Sequence, residues 1–292
     1  AMATAGAAGA PPSRPGPAPA VGGLAPGHVG VIADGSSGEA RLACVHCCHA
    51  VPDLYQRVGQ REGEIRLRQC EQCHKAVDHY IEFEILLVFI DLQLFREEVY
   101  RHVLYNRFAG QPHTLQYEAW RFLLVCLLLD TYCRWFSLKG EQASRGADVS
   151  ASLHWLRQHN GDWAVLLFTL LEMATFLVVA VCAASLSSSG PRVAGGARSE
   201  GGYRLGAAQQ RILVALSISS FGKLFALIPL IWDGGRRQQM QFVISAYVLA
   251  SNVVGVKAAL QDTRWYRAVL AVAAGASARA LVAAVTPSLL GI

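Results

Sequence analysis

The chain has 292 residues, of which 53% are hydrophobic and only 16% are charged, with a net charge of +5. An ordinary soluble domain is about 25% charged, and so modest a net charge does not indicate nucleic-acid binding. The charges are few over residues 1–40, reach the soluble average over residues 41–112 and become sparse again over residues 113–292. This distribution excludes a single soluble globule. It predicts an Ala/Gly/Pro-rich disordered tail, then a small polar domain, then a membrane region.

Two Cys-x-x-Cys pairs stand in the polar part of the sequence: Cys44 with Cys47, and Cys70 with Cys73. Their separation of 22 residues is close to the spacing of structural zinc sites, in which each tight turn supplies half of a tetrahedron of thiolates. Between them, Ile65 and Leu67 alternate with charged residues, which predicts a short hairpin that joins the two halves. We therefore predict a four-cysteine zinc ribbon whose closed shell leaves no position for catalysis. Two disulfides, uncoordinated thiols, or ligation by His46 or His49 remain alternatives.

The sequence between Glu82 and Asn106 has helical spacing. Apolar residues recur there at intervals of three and four and form one stripe: Ile85, Val88, Phe89, Leu92, Phe95, Val99 and Val103. The uninterrupted apolar run Ile85–Ile90 is too short to cross a bilayer, which takes about 20 residues. We predict one amphipathic helix that lies in the membrane interface or packs against another domain.

Long apolar runs follow Pro112. The predicted spans are Leu115–Phe136, Trp163–Leu186, Gln209–Trp232, Met240–Leu260 and a weaker, Ala-rich fifth, Trp265–Leu290. Tryptophans stand near the ends of these runs, as is typical of residues at a membrane interface. The predicted fold is an all-α polytopic membrane bundle of four to five transmembrane helices, preceded by the zinc ribbon and the amphipathic helix. Thiolates persist in reducing compartments, so the ribbon is expected on the cytosolic side, although the basic residues of the loops do not decide the orientation.

Several charged residues fall inside the predicted spans, and four of them are candidate site residues. Asp130 and Arg134 lie four residues apart in the first span, so they share a helix face and can pair, whereas Glu172 lies in the second span and Lys223 in the third. A lone charge at the bilayer centre costs at least about 2.5–3.5 kcal/mol, so these side chains are predicted to face the bundle interior or a polar cavity. They are candidate contacts for a lipid headgroup or a sterol hydroxyl. The alternative is that they form ion pairs that only hold the bundle together.

The sequence contains no Gly-x-Ser-x-Gly, P-loop or His-Glu-x-x-His pattern. An intramembrane acyltransferase would need a histidine within a span, and the histidines fall outside all five predicted spans. We therefore expect a protein that is not an enzyme. A weaker alternative is an acyltransferase that uses His102, next to Arg101, as a base on the soluble side.

Taken together, these residues resemble the Arv family of endoplasmic reticulum membrane proteins. The resemblance covers roughly residues 43–262, and its motifs are the two Cys pairs, Val77–Glu82, Tyr100–Asn106, Asp130–Trp135, Ser219–Lys223 with Ile228-Pro229, and Ser251-Asn252. It implies a role in sterol transport from the endoplasmic reticulum and in sterol and sphingolipid homeostasis, with the membrane and its lipids as partners. The alternative that it implies is an accessory subunit that supports the glycosyltransferase complex of early glycosylphosphatidylinositol (GPI) biosynthesis.

Overall fold

A computed structural model describes residues 42–57, 65–109, 112–145, 161–187, 206–231, 237–261 and 264–289. The predicted tail over residues 1–40 lies outside these ranges, and the predicted boundaries between the three parts of the chain remain predictions. Within the described ranges, short strands and two Cys-containing turns come first and long helices follow. The predicted helical membrane fold with an amino-terminal cysteine cluster is confirmed.

The strands form two small antiparallel pairs. Strand β1 (Leu42–Ala43) pairs with β2 (Ala50–Val51), and β3 (Tyr55–Arg57) pairs with β4 (Ile65–Leu67). The alternating residues around Ile65 therefore form a hairpin strand as predicted, with Leu67 opposite Tyr55. The buried core of this part is small and consists of Leu42, Cys44, Val51, Leu54, Cys70 and Val77. Because two of these six residues are candidate metal ligands, apolar packing alone gives this part little stability.

The predicted amphipathic helix is two helices, so the prediction of a single one was wrong. After a 3₁₀ turn (His79–Glu82), helix α1 (Ile85–Gln93) is followed by α2 (Glu97–Arg101), which continues into a π-helical turn (His102–Arg107). Phe95 has a φ of 58°, a left-handed conformation that an α-helix does not contain. Its ring packs against Tyr247 with the centroids 4.8 Å apart. The spacing of three and four continues through the break, so periodicity could not reveal it.

One face of α1 packs on the long helices and the other is exposed. The Phe89 ring lies 4.4 Å from that of Phe221, and the Tyr247 hydroxyl donates to the carbonyl of Gln93 at 2.8 Å. The opposite face carries exposed apolar side chains: Ile85, Leu86, Leu87, Ile90 and Leu94. The helix therefore packs on the bundle, which was one of the two alternatives predicted for it. Its exposed side chains also offer an apolar surface of the kind that lies in a membrane interface.

The remaining helices are long. They are α3 (Pro112–Arg145), α4 (Gly161–Ser187), α5 (Ala207–Ser219), the short α6 (Leu227–Ile231), α7 (Arg237–Leu260) and α8 (Trp265–Leu289). A 3₁₀ turn (Ser220–Ala226) joins α5 to α6. Pro229 lacks the N–H that would bond to the carbonyl of Phe225, so a regular α-helix cannot continue through this region.

Four stretches of the described chain are long and apolar enough to cross a membrane: Trp163–Ser187, Ala208–Pro229, Gln239–Leu260 and Trp265–Val285. The weak fifth prediction is thus among the four. Helix α3, which contains the predicted span Leu115–Phe136, is not among them. It carries more charge than such a stretch admits: Glu118, Arg121, Asp130 and Arg134.

Small residues allow the long helices to pack closely. Helix α4 packs most extensively against α8. A Cβ atom added to Gly275 would lie only 2.9 Å from the carbonyl oxygen of Phe176 and 3.0 Å from Cβ of Ala180. Close contact of this kind is typical of helix pairs in membranes. It brings side chains of α8 within reach of charged groups on α4.

Candidate metal centre and the charged cluster between the helices

The two Cys-x-x-Cys turns have the same backbone geometry. In each turn the residue after the second cysteine, Cys48 or His74, donates its N–H to the carbonyl of the first cysteine, Cys44 or Cys70, at 2.9 Å. The N–H of each first cysteine donates in turn to a carbonyl five residues along the chain, at 2.9 and 2.8 Å. Cys48 and His74 both have a positive φ, 62° and 56°, which a tight turn requires here. The sequence thus builds the same cysteine-bearing turn twice.

The turns bring four sulfur atoms together, and all four lie within 4.8 Å of one another. The closest pairs join opposite turns, with 3.7 Å between Sγ of Cys44 and Cys73 and 3.5 Å between Sγ of Cys47 and Cys70. A tetrahedral zinc ion with Zn–S bonds of about 2.3 Å holds its sulfurs about 3.8 Å apart. The sulfurs of a disulfide lie about 2.05 Å apart, and these cysteines are all free. The predicted ligand set therefore fits a metal ion bound by four sulfurs and does not fit two disulfides.

The thiols differ in their acidity. Burial raises the pKa of the Cys44 thiol to about 12. Burial also acts to raise the pKa of the Cys70 thiol, but hydrogen bonds from the backbone N–H groups of Cys73 and Gln72 lower it to about 7. At neutral pH the fold alone therefore does not hold all four ligands as thiolates. A bound cation would supply the missing charge, and its binding would release protons and weaken as the pH falls.

A buried carboxylate joins this metal-site fold to the helical part. The Asp78 carboxylate accepts hydrogen bonds from the Tyr80 N–H at 3.0 Å, from the Asn106 amide at 2.7 Å and from His102 Nδ1 at 2.7 Å. The Asn106 amide also bonds both backbone groups of Ala43, at 3.0 and 2.9 Å. Sequence reasoning did not single out Asp78 or Asn106. Both residues could have been noticed, because they lie in two of the motifs that carry the family resemblance, Val77–Glu82 and Tyr100–Asn106.

His102 lies inside this junction. Its ring is bonded through Nδ1 to Asp78, while Nε2 is buried without a partner among the described residues. The residue is only 3% exposed, so a substrate has no open path to the ring in this conformation. The arrangement offers no support for the alternative of a base on the soluble side.

A chain of charged groups ties the metal-site fold to helix α7. The Arg101 guanidinium donates to the carbonyls of Val45 and His46, at 2.8 and 3.0 Å, within the first cysteine turn. It also donates to Glu97 at 2.8 Å, and Glu97 in turn accepts from Lys257 of α7. The first cysteine turn is therefore fixed against the bundle by backbone and charge contacts together.

The four charged residues predicted as candidate site residues pair between helices. Lys223 donates to Asp130 at 2.6 Å, and Arg134 binds Glu172 with both terminal nitrogens, one of them at 2.9 Å. Asp130 and Arg134, which could pair along α3, bind partners on other helices instead. Their shared face of α3 is turned toward neighbouring helices, where each side chain has a separate partner of opposite charge. A third helix contributes Arg279, whose Nε donates to Glu172 at 3.1 Å. Sequence reasoning placed Arg279 in the fifth span but not in the candidate site.

The fold and site define a polytopic helical membrane protein that carries a four-cysteine candidate metal site on its amino-terminal side. The sequence profile of the Arv1-like family matches residues 43–256. Among similar proteins, Protein ARV 2 of Arabidopsis thaliana is 31% identical over 74% of this chain and 83% of its own length. Protein arv1 homolog of Dictyostelium discoideum is 26% identical over 80% of this chain and 90% of its own, and Protein ARV1 of Homo sapiens is 24% identical over 78% and 76%.

The chain therefore belongs to the Arv1-like family, which confirms the resemblance drawn from its motifs. No solved structure matches the chain with statistical significance.

Proposed function

We propose that this protein is a non-enzymatic mediator of sterol transport from the endoplasmic reticulum and of sterol and sphingolipid homeostasis. Membership of the Arv1-like family supports this proposal, and one structural observation carries it. Glu172, only 2% exposed within an apolar helix, is held by two arginines whose side chains are 30% and 42% exposed. The described helices thus contain a polar group whose arginine side chains are partly exposed. In a bilayer, a lipid headgroup or a sterol hydroxyl reaches such a site from the surrounding membrane.

The two charged groups within the bundle differ in what they offer a ligand. The side chains of Lys223 and Asp130 are 14% and 21% exposed and satisfy one another at 2.6 Å. This pair fits the alternative of an ion pair that holds helices together. In the group around Glu172, Arg279 uses only its Nε, and the two arginine side chains are more exposed than Lys223 and Asp130. We therefore assign the lipid contact chiefly to Arg134 and Glu172, and a supporting structural role to Asp130 and Lys223.

Photolabelling with a sterol probe tests this function. Purified protein is expected to be labelled, and excess unlabelled sterol is expected to compete. Glu172→Ala should lower the labelling severalfold because it removes the carboxylate that positions two arginines, whereas Glu118→Ala should not, because Glu118 pairs with Arg121 in an exposed position. Absence of competed labelling in the wild-type protein would contradict direct sterol binding. Equal labelling of the two variants would remove Glu172 from the site.

The alternative, an accessory subunit for GPI biosynthesis, has a surface to support it. The outer face of α1 is apolar and exposed, with Leu86 and Leu94 both 61% exposed. Gly222 and Ser219 are small residues that would let a partner helix approach closely, but both are already used within the chain. A Cβ atom on Gly222 would lie 2.5 Å from the Tyr247 ring, and the Ser219 hydroxyl bonds Asn252 at 2.5 Å. A partner subunit would therefore contact α1 rather than these positions.

We further propose that the metal is zinc and that the cysteine turns face the cytosol. Four thiolates at these distances suit zinc, and thiols stay reduced on the cytosolic side of the membrane. Zinc would supply folding free energy here rather than chemistry, since four protein ligands close its shell. An epitope inserted after Gln60 should be reached by antibody in sealed microsomes. Detection only after detergent is added would place this part in the lumen.

A further inference from the structure

The charged groups between the helices are not all balanced. Among the described residues, Lys223 pairs with Asp130, one charge against one, whereas Glu97 takes both Arg101 and Lys257. Glu172, which lies in a stretch apolar enough to span a membrane, likewise takes two cations, Arg134 and Arg279. This cluster, which we call the Arg134–Glu172–Arg279 triad, carries one net positive charge.

The triad lies within the apolar part of the bundle. Glu172 and Arg279 both belong to stretches long and apolar enough to span a membrane, Trp163–Ser187 and Trp265–Val285. At about 1.5 Å of rise per residue, Glu172 lies about 14 Å beyond Trp163 and Arg279 about 9 Å before Val285. An unbalanced charge within the apolar part of a membrane is costly unless an anion or water accompanies it.

The triad also has free hydrogen-bond donors. Glu172 occupies both terminal nitrogens of Arg134 and only the Nε of Arg279. The two terminal nitrogens of Arg279 therefore remain without a partner among the described residues, on a side chain that is 42% exposed. Arg134 is held in place from its other side by Phe168, whose ring centroid lies 5.1 Å from the guanidinium carbon. The bond from Nε to Glu172 orients the Arg279 guanidinium, and its planar pair of terminal N–H donors matches two oxygens of a phosphate group.

We propose that the Arg134–Glu172–Arg279 triad binds the phosphate of an anionic lipid headgroup, with Arg279 as the direct donor. A sterol hydroxyl is neutral and cannot cancel the excess positive charge. An anionic phosphate cancels it and accepts hydrogen bonds from both terminal nitrogens of Arg279. The inference rests on the proposed function, because it takes this cluster as the lipid site, and it names the class of lipid. The reach of an arginine side chain lets the headgroup stay near the membrane interface while its phosphate meets Arg279.

The test compares variants of the full chain in nanodiscs of phosphatidylcholine that contain a fluorescent phosphatidic acid as a minor component. Arg279→Gln should weaken retention of the labelled lipid about tenfold or more, because it removes a charge-assisted pair of donors. It leaves the neutral Arg134–Glu172 pair in place, so the bundle should still fold with its metal bound. Arg121→Gln is the matched control, since Arg121 is an exposed arginine on α3 paired with Glu118. Its retention of the lipid should equal that of the wild-type protein.

Three outcomes would overturn the inference. Equal retention by Arg279→Gln and Arg121→Gln would show that the triad does not select the lipid. Displacement by inorganic phosphate at equal concentration would show a site for the free anion rather than for a lipid. Lack of any preference for phosphatidic acid over phosphatidylcholine would show that the site does not select anionic lipids. Competed sterol photolabelling in the same preparations would then still support the proposed function, whereas retention of phosphatidic acid without sterol labelling would support the inference and contradict the sterol role.

Discussion

Cys70→Ser is expected to abolish metal binding and to unfold the amino-terminal part of the protein. The substitution removes one of four sulfurs that lie within 4.8 Å of one another. Cys70 also belongs to a buried core of only six residues, so little other packing remains. Structural zinc contributes on the order of 10–16 kcal/mol to folding in small zinc-dependent modules. Metal analysis should find about one ion per wild-type chain and close to none in the variant, with faster proteolysis of the amino-terminal part.

Cys48→Gly is the matched control for this prediction. Cys48 follows the ligand Cys47 directly, but it serves the turn through its positive φ of 62° and is not one of the four clustered cysteines. Glycine adopts this conformation without steric cost, so the variant should keep its metal and be unchanged or slightly more stable. A full equivalent of metal in Cys70→Ser, or its loss in Cys48→Gly, would show that the ligand set is wrong.

Glu172→Gln is expected to destabilise the helical bundle more than any other single charge neutralisation discussed above. The substitution leaves two guanidinium groups facing each other in an apolar region without their shared carboxylate. Removing one partner of a buried ion pair costs about 3–5 kcal/mol, whereas an exposed pair is worth about 0–1 kcal/mol. Thermal unfolding in detergent should therefore show a large decrease in Tm for Glu172→Gln.

Two comparisons make this result specific. Glu118→Gln removes an exposed carboxylate on α3 and should change the Tm little. Arg279→Gln should also have a small effect, because the Arg134–Glu172 pair that remains is neutral. If Glu172→Gln and Glu118→Gln unfold at the same temperature, the triad does not stabilise the contact between α3, α4 and α8.

The sequence was most informative where chemistry depends on neighbouring residues. The spacing of the cysteines was enough to predict a four-sulfur site, because each tight turn places two thiols by itself. The long apolar runs likewise predicted the long helices. Helix α3 shows the limit of such patterns, since its apolar character predicted a span, whereas it carries four charged residues between Glu118 and Arg134 and is not among the four stretches long and apolar enough to cross a membrane.

Features that depend on distant contacts could not be predicted in this way. The pairing of Asp130 with Lys223 joins residues 93 positions apart and is decided by how the helices pack. At the break, the Phe95 ring packs against Tyr247, which lies in a different helix. The junction at Asp78 requires Asn106 and His102 to fold back onto the first cysteine turn. In each case the residue types were visible, but their partners were not.

Affinity purification from endoplasmic reticulum membranes, with bound proteins and lipids both identified, tests the proposed function most directly. The account predicts that sterol and anionic phospholipid are enriched with the wild-type chain in the absence of a stoichiometric protein partner. It also predicts that Arg279→Gln selectively lowers the anionic phospholipid. Stoichiometric recovery of GPI glycosyltransferase subunits without enrichment of any lipid would contradict the account and favour the accessory-subunit alternative.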